Sequence, residues 1–176
     1  MPEPCKAGPG ELLLEVGSWK VHELILTYEK VGWIWTEMQN YRSLFSDLTR
    51  GDVNNFWNLI SMPDSYWVEI SGADENLVGI VYVTNIQQIL DADVHLIFFD
   101  RRPAEKTELC KKIAAFLFDK FHFHRMTATV PVIYYATVRL AQKIGFQMEG
   151  KKRQSQLMGN RWVDEVILGL LYNEVE

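Results

Sequence analysis

The sharpest change of pattern along the chain lies between residues 121 and 150. Residues 125–130 alternate polar and apolar side chains and include β-branched residues, which is typical of a half-buried strand. A stripe at helical spacing follows and predicts one buried helix face, formed by Ile133, Thr137, Leu140, Ala141 and Ile144. Gly145 stands where a helix often ends in a residue with positive φ, and Phe146 begins the next segment. The pattern predicts a strand, a helix and a second strand, as in a βαβ unit.

Similar patterns predict elements on both sides of this unit. We expect strands at residues 41–48, 66–71, 77–84, 93–99, 147–156 and 161–171, the last two joined by a Gly159-Asn160 turn. One helix is expected to begin with Thr49 as N-cap and Asp52 as the returning carboxylate of a capping box. Another begins near Arg102–Lys106, with Pro103 at its first position. The apolar run at 93–99 places that strand at the centre of the sheet.

The first 40 residues are expected to form an N-terminal extension that is partly helical, and residues 41–176 the main domain. A helical stripe is approximated by Leu24, Tyr28, Val31 and Trp35. Three tryptophans, Trp19, Trp33 and Trp35, are close together in this segment. They either dock the segment on the core, which is the interpretation we favour, or form a substrate or partner surface.

Composition and charge exclude several classes of protein. The net charge of −5 argues against a nucleic-acid-binding protein, so an anionic ligand must be met by local basic residues or helix-end amides. Cys5 and Cys110 indicate two free thiols in a reducing compartment. No apolar run approaches the roughly 20 residues that span a bilayer, and the N-terminus lacks a signal pattern, so we expect a cytoplasmic protein. No acidic or cysteine ligand joins the His122 and His124 pair, so no metal is expected.

The run Thr137-Val-Arg-Leu-Ala-Gln-Lys-Ile-Gly-Phe146, followed by Glu149-Gly150, resembles the last conserved block of the GCN5-related N-acetyltransferases (GNAT). The helix of that block typically reads Asn-x-x-Ser-x-Arg-x-x-x-Lys-x-Gly-Phe. Further residues resemble the ribosomal-protein N-terminal acetyltransferase branch, namely Arg153, Gly159, Trp162, Asp164 and the closing Leu171-Tyr-Asn-Glu174. The resemblance covers residues 41–172. It implies an α/β (α+β) acyl-CoA N-acyltransferase fold, with a mixed, mostly antiparallel sheet and helices on both faces.

The same resemblance implies an acetyl-CoA site in a loop of the form Gln/Arg-x-x-Gly-x-Gly/Ala. With Arg101 at the first position, Ala104 and Lys106 occupy the two glycine positions, so the loop has no glycine. Either the charges of this loop compensate for the glycines, or coenzyme A binding is weak or lost. The residues expected to contact the cofactor are Phe98, Phe99, Arg101, Arg102, Ala104, Glu105, Lys106, Thr107, Thr137 and Arg139.

Acyl transfer to an amine requires a group that takes a proton from the amine. The first candidate is His95, on a strand expected to line the cleft, because an ordinary histidine titrates near neutral pH. The alternative is a sheet-face histidine held by a hydrogen bond. Glu69 and Tyr134 are the other candidates. Ala141 occupies the position at which many relatives carry a general-acid tyrosine.

Two functions therefore compete. The first is an N-acetyltransferase that transfers an acyl group directly from acetyl-CoA to an amine, with a protein amine as one candidate acceptor. The second is a catalytically inactive binding or structural protein with the same fold. The run Arg101-Arg-Pro-Ala-Glu-Lys106 also resembles divergent acetyltransferase-like proteins of tailed bacteriophages, which fits the second function.

Overall fold

The computed structural model describes residues 8–40, 51–99 and 106–175. The strands in these ranges are β1 (Leu12–Val16), β2 (Trp19–Glu23), β3 (Tyr66–Ser71), β4 (Leu77–Gln87), β5 (Asp91–Phe98), β6 (Arg125–Pro131), β7 (Gln147–Met158) and β8 (Arg161–Leu171). The helices are α1 (Tyr28–Met38), α2 (Val53–Ile60), α3 (Lys106–Phe121) and α4 (Tyr135–Ile144), and a 3-10 helix covers Tyr172–Glu174.

The eight strands form one mixed sheet in the order β1-β2-β3-β4-β5-β6-β8-β7. β5 and β6 are parallel, with Asp93 opposite Thr127. The pairs β1–β2, β2–β3, β6–β8 and β7–β8 are antiparallel. The predicted mixed, mostly antiparallel sheet is confirmed, and the strand expected at its centre is β5.

The strand–helix–strand prediction for residues 121–150 is confirmed by β6, α4 and β7. Every second residue of β6 is buried, namely Met126, Ala128 and Val130. Helix α4 ends at Gly145, whose φ is 128° and whose N–H donates to the carbonyl of Ala141. Phe146 is buried directly after this stop. Local periodicity and one glycine at positive φ therefore account for this unit.

The described residues divide into two compact units, 8–40, 51–82 and 96–99 in the first and 83–95 and 106–175 in the second. In the first unit, α1 and α2 contribute to an apolar core with β3, β4 and the end of β5. The buried residues of this core are Leu24, Val31, Ile34, Met38, Phe56, Ile60, Trp67, Ile80, Tyr82 and Ile97. The rings of Trp67 and Tyr82 stack with centroids 3.8 Å apart.

Helix α2 begins three residues later than the capping-box prediction. Its N-cap is Asp52, whose carboxylate accepts from the N–H of Asn54 at 2.7 Å, so the prediction of Thr49 as N-cap is wrong. Asp caps a helix at least as well as Thr, because its carboxylate accepts the same orphan N–H groups. Thr49 itself and the strand predicted at 41–48 lie outside the described residues.

The N-terminal segment contains a hairpin that the sequence pattern did not predict. β1 pairs with β2, and β2 pairs with β3, where Val21 lies opposite Ile70. Trp19 is buried, Trp33 packs edge-on against Phe99, and Trp35 packs against Phe56. The docking interpretation of these tryptophans is therefore confirmed. The domain boundary between residues 40 and 41 stays a prediction.

The second unit contains an ion pair that crosses a glycine. Arg125 Nη2 lies 2.7 Å from Glu149 Oε2, and both side chains lie over Gly169 of β8. A Cβ atom built on Gly169 would lie 2.7 Å from Arg125 Nη2 and still closer to the Glu149 carboxylate. Only glycine therefore fits at this position while the ion pair is in place.

Across the ranges 8–40, 51–99 and 106–175, no helix combines the length and the apolar character that crossing a membrane requires.

Candidate active site

His95 lies on β5 in the second unit and is hydrogen-bonded to Thr84 of β4. Its Nε2 atom lies 3.2 Å from Thr84 Oγ1, and the side chain is half-buried. Burial lowers the pKa of His95 to about 4, and the carboxylate of Asp93 opposes this shift. The imidazole is therefore neutral at physiological pH, with one N–H donor and one nitrogen lone pair. The expectation of an ordinary titration near neutral pH does not hold, because burial disfavours the charged ring.

Asn85, the next residue of β4, reaches the same face of the sheet as Thr84. Its Nδ2 atom donates to Asp93 Oδ2 at 2.6 Å, and Asp93 shares a strand face with His95 because side chains alternate. A regular strand would point Thr84 and Asn85 to opposite faces. The φ of 51° at Asn85 breaks the alternation, and asparagine tolerates this left-handed backbone. The result is a row of His95 and Asp93 held by two consecutive residues of β4.

Asp91 continues this row but is bound by neighbouring side chains. Its Oδ1 and Oδ2 atoms accept from Thr127 Oγ1 at 3.2 and 3.0 Å, and Oδ2 lies 3.6 Å from Arg125 Nε. Arg125 also pairs with Glu149. Asp91 therefore belongs to an ion network of β5, β6 and β7, and Asp93 is the carboxylate next to His95.

Glu69, the predicted carboxylate candidate, lies on β3 in the first unit and pairs with a lysine of α1. Lys30 Nζ lies 2.6 Å from Glu69 Oε2 and also donates to the carbonyl of Gly8 at 2.8 Å. Both side chains are buried. Burial raises the pKa of Glu69, and the hydrogen bond from Lys30 opposes that shift. The contact ties α1 to β3, and a catalytic role for Glu69 stays a prediction.

Phe98 and Phe99, two predicted cofactor contacts, lie at the end of β5 in the first unit. The N–H of Phe99 donates to the carbonyl of Val78 at 2.8 Å, and its ring meets Trp33 edge-on at 5.4 Å. The Phe98 ring lies over Gly79, since a Cβ built there would be 2.9 Å from Phe98 Cδ1. Backbone groups of successive strand residues point in opposite directions, so the N–H and C=O of Phe98 point away from β4.

Most of the predicted phosphate loop lies outside the described residues, namely Arg101, Arg102, Ala104 and Glu105. The last two predicted residues of this region, Lys106 and Thr107, open α3 and are half-buried. Burial raises the pKa of the Cys110 thiol on the same helix to about 12, and Lys106 opposes the shift. The described start of α3 therefore carries a cation and a hydroxyl but no reactive thiolate.

Three predicted residues lie at the beginning of α4. Tyr134 is the N-cap, and its carbonyl accepts from the N–H of Thr137 at 2.9 Å. Thr137 is half-buried, whereas Arg139 is exposed and places its guanidinium 5.9 Å from the centre of the Tyr135 ring. The catalytic role of Tyr134 and the cofactor roles of Thr137 and Arg139 stay predictions.

The ranges that the structure describes contain no group of three or more histidine, cysteine, aspartate or glutamate side chains that could hold a metal ion. His122 and His124 are both exposed.

Sequence reasoning missed Thr84, Asn85 and Asp93. The local signal is weak: an asparagine near the end of an apolar strand, at a position where the backbone adopts positive φ. Nothing in the spacing shows that Thr84 faces His95, because that contact depends on how two strands pair.

Comparison with known proteins identifies the family. The sequence model described as an acetyltransferase (GNAT) domain matches residues 58–167, more than half of the chain. No curated protein sequence matches. The spermidine N-acetyltransferase SpeG from Vibrio cholerae, in complex with CoA and spermine, is 16% identical with a TM-score of 0.76, over 91% of this chain and 99% of that chain. The dodecameric form of the Vibrio cholerae enzyme in an intermediate state is 17% identical with a TM-score of 0.73, over 90% and 96% of the two chains.

The structural likeness establishes the α/β acyl-CoA N-acyltransferase fold that the sequence resemblance implied. The family match covers β3 to β7 and most of β8, and it includes Thr84, Asp93 and His95. The chain is a member of the GNAT acetyltransferase family.

Proposed function

We propose that this protein transfers an acetyl group from acetyl-CoA to an amine, and that His95 takes the proton that the amine loses. The observation that carries the proposal is the neutral imidazole of His95 on β5, which is hydrogen-bonded to Thr84 of β4. A neutral imidazole has the lone pair that a proton acceptor needs. When bound, acetyl-CoA supplies the activated acyl group.

The residues that would hold acetyl-CoA belong to β5 and to the start of α3. Phe98 lies at the end of β5, and we assign it to the extended arm of the ligand. Lys106 and Thr107 offer a cation and a hydroxyl, which are suited to phosphate oxygens. We extend the proposal to Phe99, Thr137 and Arg139, and to the loop residues 101, 102, 104 and 105.

The lowered pKa of His95 restricts when the proton can move. Transfer from a free alkylammonium of pKa about 10 to an imidazole of pKa about 4 costs about 8 kcal/mol. A nitrogen that is bonding to an acyl carbon is far more acidic than a free ammonium. His95 is therefore suited to take the proton during bond formation, and the amine must arrive in its neutral form or lose its first proton to water.

Asp93 gives the proposed site a preference for a cationic acceptor. Its carboxylate lies two residues from His95 on the same strand face and is oriented by Asn85. A carboxylate beside the reacting centre attracts an amine that carries a further positive charge. Polyamines and lysine side chains of proteins share this chemistry, and the SpeG complex of similar fold contains spermine.

The proton-acceptor role is tested with His95→Gln. We expect turnover to fall by about 10²–10⁴-fold while the affinity for acetyl-CoA, measured by calorimetry, stays unchanged. The exposed His124 provides a matched control, and His124→Gln should retain turnover. Equal turnover in His95→Gln and the parent protein would transfer the role to Tyr134, Glu69 or water.

The acceptor class is tested with Asp93→Asn and a panel of amines. We expect KM for spermidine, spermine and a lysine-containing peptide to rise, while KM for an uncharged-tail amine such as propylamine changes little. The ranking of polyamine against peptide in the parent protein then separates the two sources of cationic amine. If Asp93→Asn has the same KM values as the parent protein for every amine, Asp93 does not contact the acceptor.

A binding protein without turnover is the second candidate function. It is favoured by Ala141, at the position where many relatives carry a tyrosine, and by a His95 too weakly basic to deprotonate an ammonium. The two candidates differ in one measurement. Acetyl-CoA hydrolysis and transfer both absent over the whole amine panel, with acetyl-CoA binding intact, would support the binding protein.

A further inference from the structure

β7 lies at an edge of the sheet. It is the outermost of the described strands on that side and pairs with β8. Most of its residues are exposed. The outer edge of a strand carries a row of N–H and C=O groups that can pair with a strand of another molecule. A long, regular edge of this kind would promote self-association.

Two β-bulges interrupt the pairing of β7 with β8. The first leaves Glu149 between two paired residues, and the second places residues 153–155 opposite the single residue Asp164. A bulge bends its strand and increases the local twist. None of the regular stretches that remain therefore offers a partner a long, straight edge. These stretches are 147–148, 150–152 and 156–158.

An ion pair is present at each bulge. At the first, Arg125 Nη2 lies 2.7 Å from Glu149 Oε2, and the carboxylate is turned inward over the sheet. At the second, Asp164 Oδ1 accepts from the N–H of Gln154 at 2.8 Å, and Asp164 Oδ2 lies 2.5 Å from Lys151 Nζ. Bulges and inward-pointing charges are two of the devices by which proteins protect a sheet edge from pairing.

Asp164 stabilises an unfavourable backbone conformation in the second bulge. Gln154 has a φ of 48°, in the left-handed region that a residue other than glycine rarely adopts. The hydrogen bonds from Lys151 and from the Gln154 N–H lower the pKa of Asp164, so its carboxylate is ionised at neutral pH. The proposed function gives Asp164 no role.

We propose that the outer edge of β7 is a surface able to pair with β7 of a second copy of this chain, and that the two bulges, the second held by Asp164, prevent this pairing. A second copy is the partner because two identical edges can pair about a twofold axis. The inference is independent of the proposed function.

The second bulge can be removed while the register on both sides is kept. Deletion of residues 154–155 leaves Arg153 alone opposite Asp164, so β7 becomes regular from residue 150 to its end. We expect analytical ultracentrifugation to show self-association of the deletion variant about tenfold tighter than that of the parent protein. The matched control is Gln154→Gly with Ser155→Gly, which changes the same two residues, keeps the bulge and should behave as the parent does.

Hydrogen exchange locates the contact. In the deletion variant, the amides of β7 should become more protected as the protein concentration rises, whereas those of β1, at the other edge of the described sheet, should not. A folded deletion variant that associates no more tightly than the parent would overturn the proposal. Tighter association with protection outside β7 would also overturn it.

Two further measurements decide the question if the deletion variant does not fold. In the parent protein, exchange in β7 should be independent of concentration, and protection that grows with concentration would show that this edge already pairs. In Asp164→Ala the Gln154 amide should exchange about tenfold faster, because its acceptor is lost. Glu165→Ala, which removes the next carboxylate of β8, is the control. Equal Gln154 exchange rates in both variants would show that Asp164 does not hold the bulge.

Discussion

His95 links the chemistry of the proposed site to the stability of the fold. Its pKa is about 4 in the folded protein, against an ordinary value of 6.5. As pH falls, the unfolded chain binds the proton first, so acid favours unfolding. The stability that the neutral ring contributes is fully present above pH 6.5 and is lost as pH falls from 6.5 to 4.

We therefore expect the parent protein to lose stability relative to His95→Gln as pH falls. The difference in unfolding free energy between the two should change by about 1–3 kcal/mol between pH 7 and pH 4, the upper value being the full pKa shift and the lower allowing for partial solvent exposure. Urea denaturation of both proteins at pH 7, 5.5 and 4 measures this change. Packing losses are the same at each pH, so a constant difference would show that His95 titrates normally.

Ile89 is a residue-level source of strain in the turn between β4 and β5. Its φ is 72°, which is unfavourable for a β-branched residue, and its side chain is 71% exposed. The turn persists because the next carbonyl, that of Leu90, accepts from the N–H groups of both His124 and Arg125 at 3.1 Å. Tertiary hydrogen bonds therefore hold a backbone conformation that the residue itself opposes.

Ile89→Asn should stabilise the protein by about 1 kcal/mol, because asparagine tolerates positive φ and little apolar area is lost. The free energy of unfolding from urea denaturation measures the gain. Leu90→Asn is the matched control, since Leu90 is also exposed but has no positive φ. An equal gain in both variants would show that replacing an exposed apolar side chain, and not the relief of positive φ, causes the effect.

At the scale of elements, the pairing of β7 with β8 depends on the absence of one side chain. Gly169→Ala would drive a Cβ atom into the Arg125–Glu149 ion pair. We expect a loss of about 1–3 kcal/mol in unfolding free energy, as for other overpacked sites. Gly150→Ala is the control, because its Cβ would meet only Ile167 Cδ1 at 3.9 Å, and it should change stability by less than about 0.5 kcal/mol. Similar losses in both variants would contradict this account.

The sequence predicted those elements whose pattern is local. The periodic patterns of β6, α4 and β7 extend over enough residues to be recognised in the sequence. Gly145 marks the end of α4 by its positive φ. The hairpin of β1 and β2 was missed because each strand has only five residues, and β2 is buried largely through its pairing with β3.

The candidate site was only partly predictable for the same reason. His95 could be named as a candidate because its strand and its chemistry can be read from adjacent residues. Its lowered pKa and its bond to Thr84 could not be, since both arise from packing against β4 and from the positive φ of Asn85. Asp52 in place of Thr49 shows a smaller version of this limit, because two residues three positions apart could each cap the helix.

For the whole molecule, acetyl-CoA binding should appear as resistance to heat. A ligand that binds only the folded state at one hundred times its Kd adds about 2.7 kcal/mol to the unfolding free energy, so Tm should rise by several degrees. Lys106→Ala should reduce this rise, since we assign its ammonium to the phosphates. Lys112→Ala removes an exposed lysine of the same helix, paired with Glu108, and should preserve the rise. The same Tm with and without acetyl-CoA would favour a protein that has lost its cofactor.

The bond from Lys30 to the Gly8 carbonyl has a practical consequence for anyone who shortens this protein. Lys30 is buried and depends on Glu69 and Gly8 for its hydrogen bonds. Deletion of Gly8, or cleavage between residues 8 and 11, would leave a buried ammonium with one acceptor fewer, at a cost of about 1–3 kcal/mol. Gly10 also lies so close to Glu23 that a larger residue cannot replace it. Limited proteolysis within residues 8–11 should therefore lower the melting temperature.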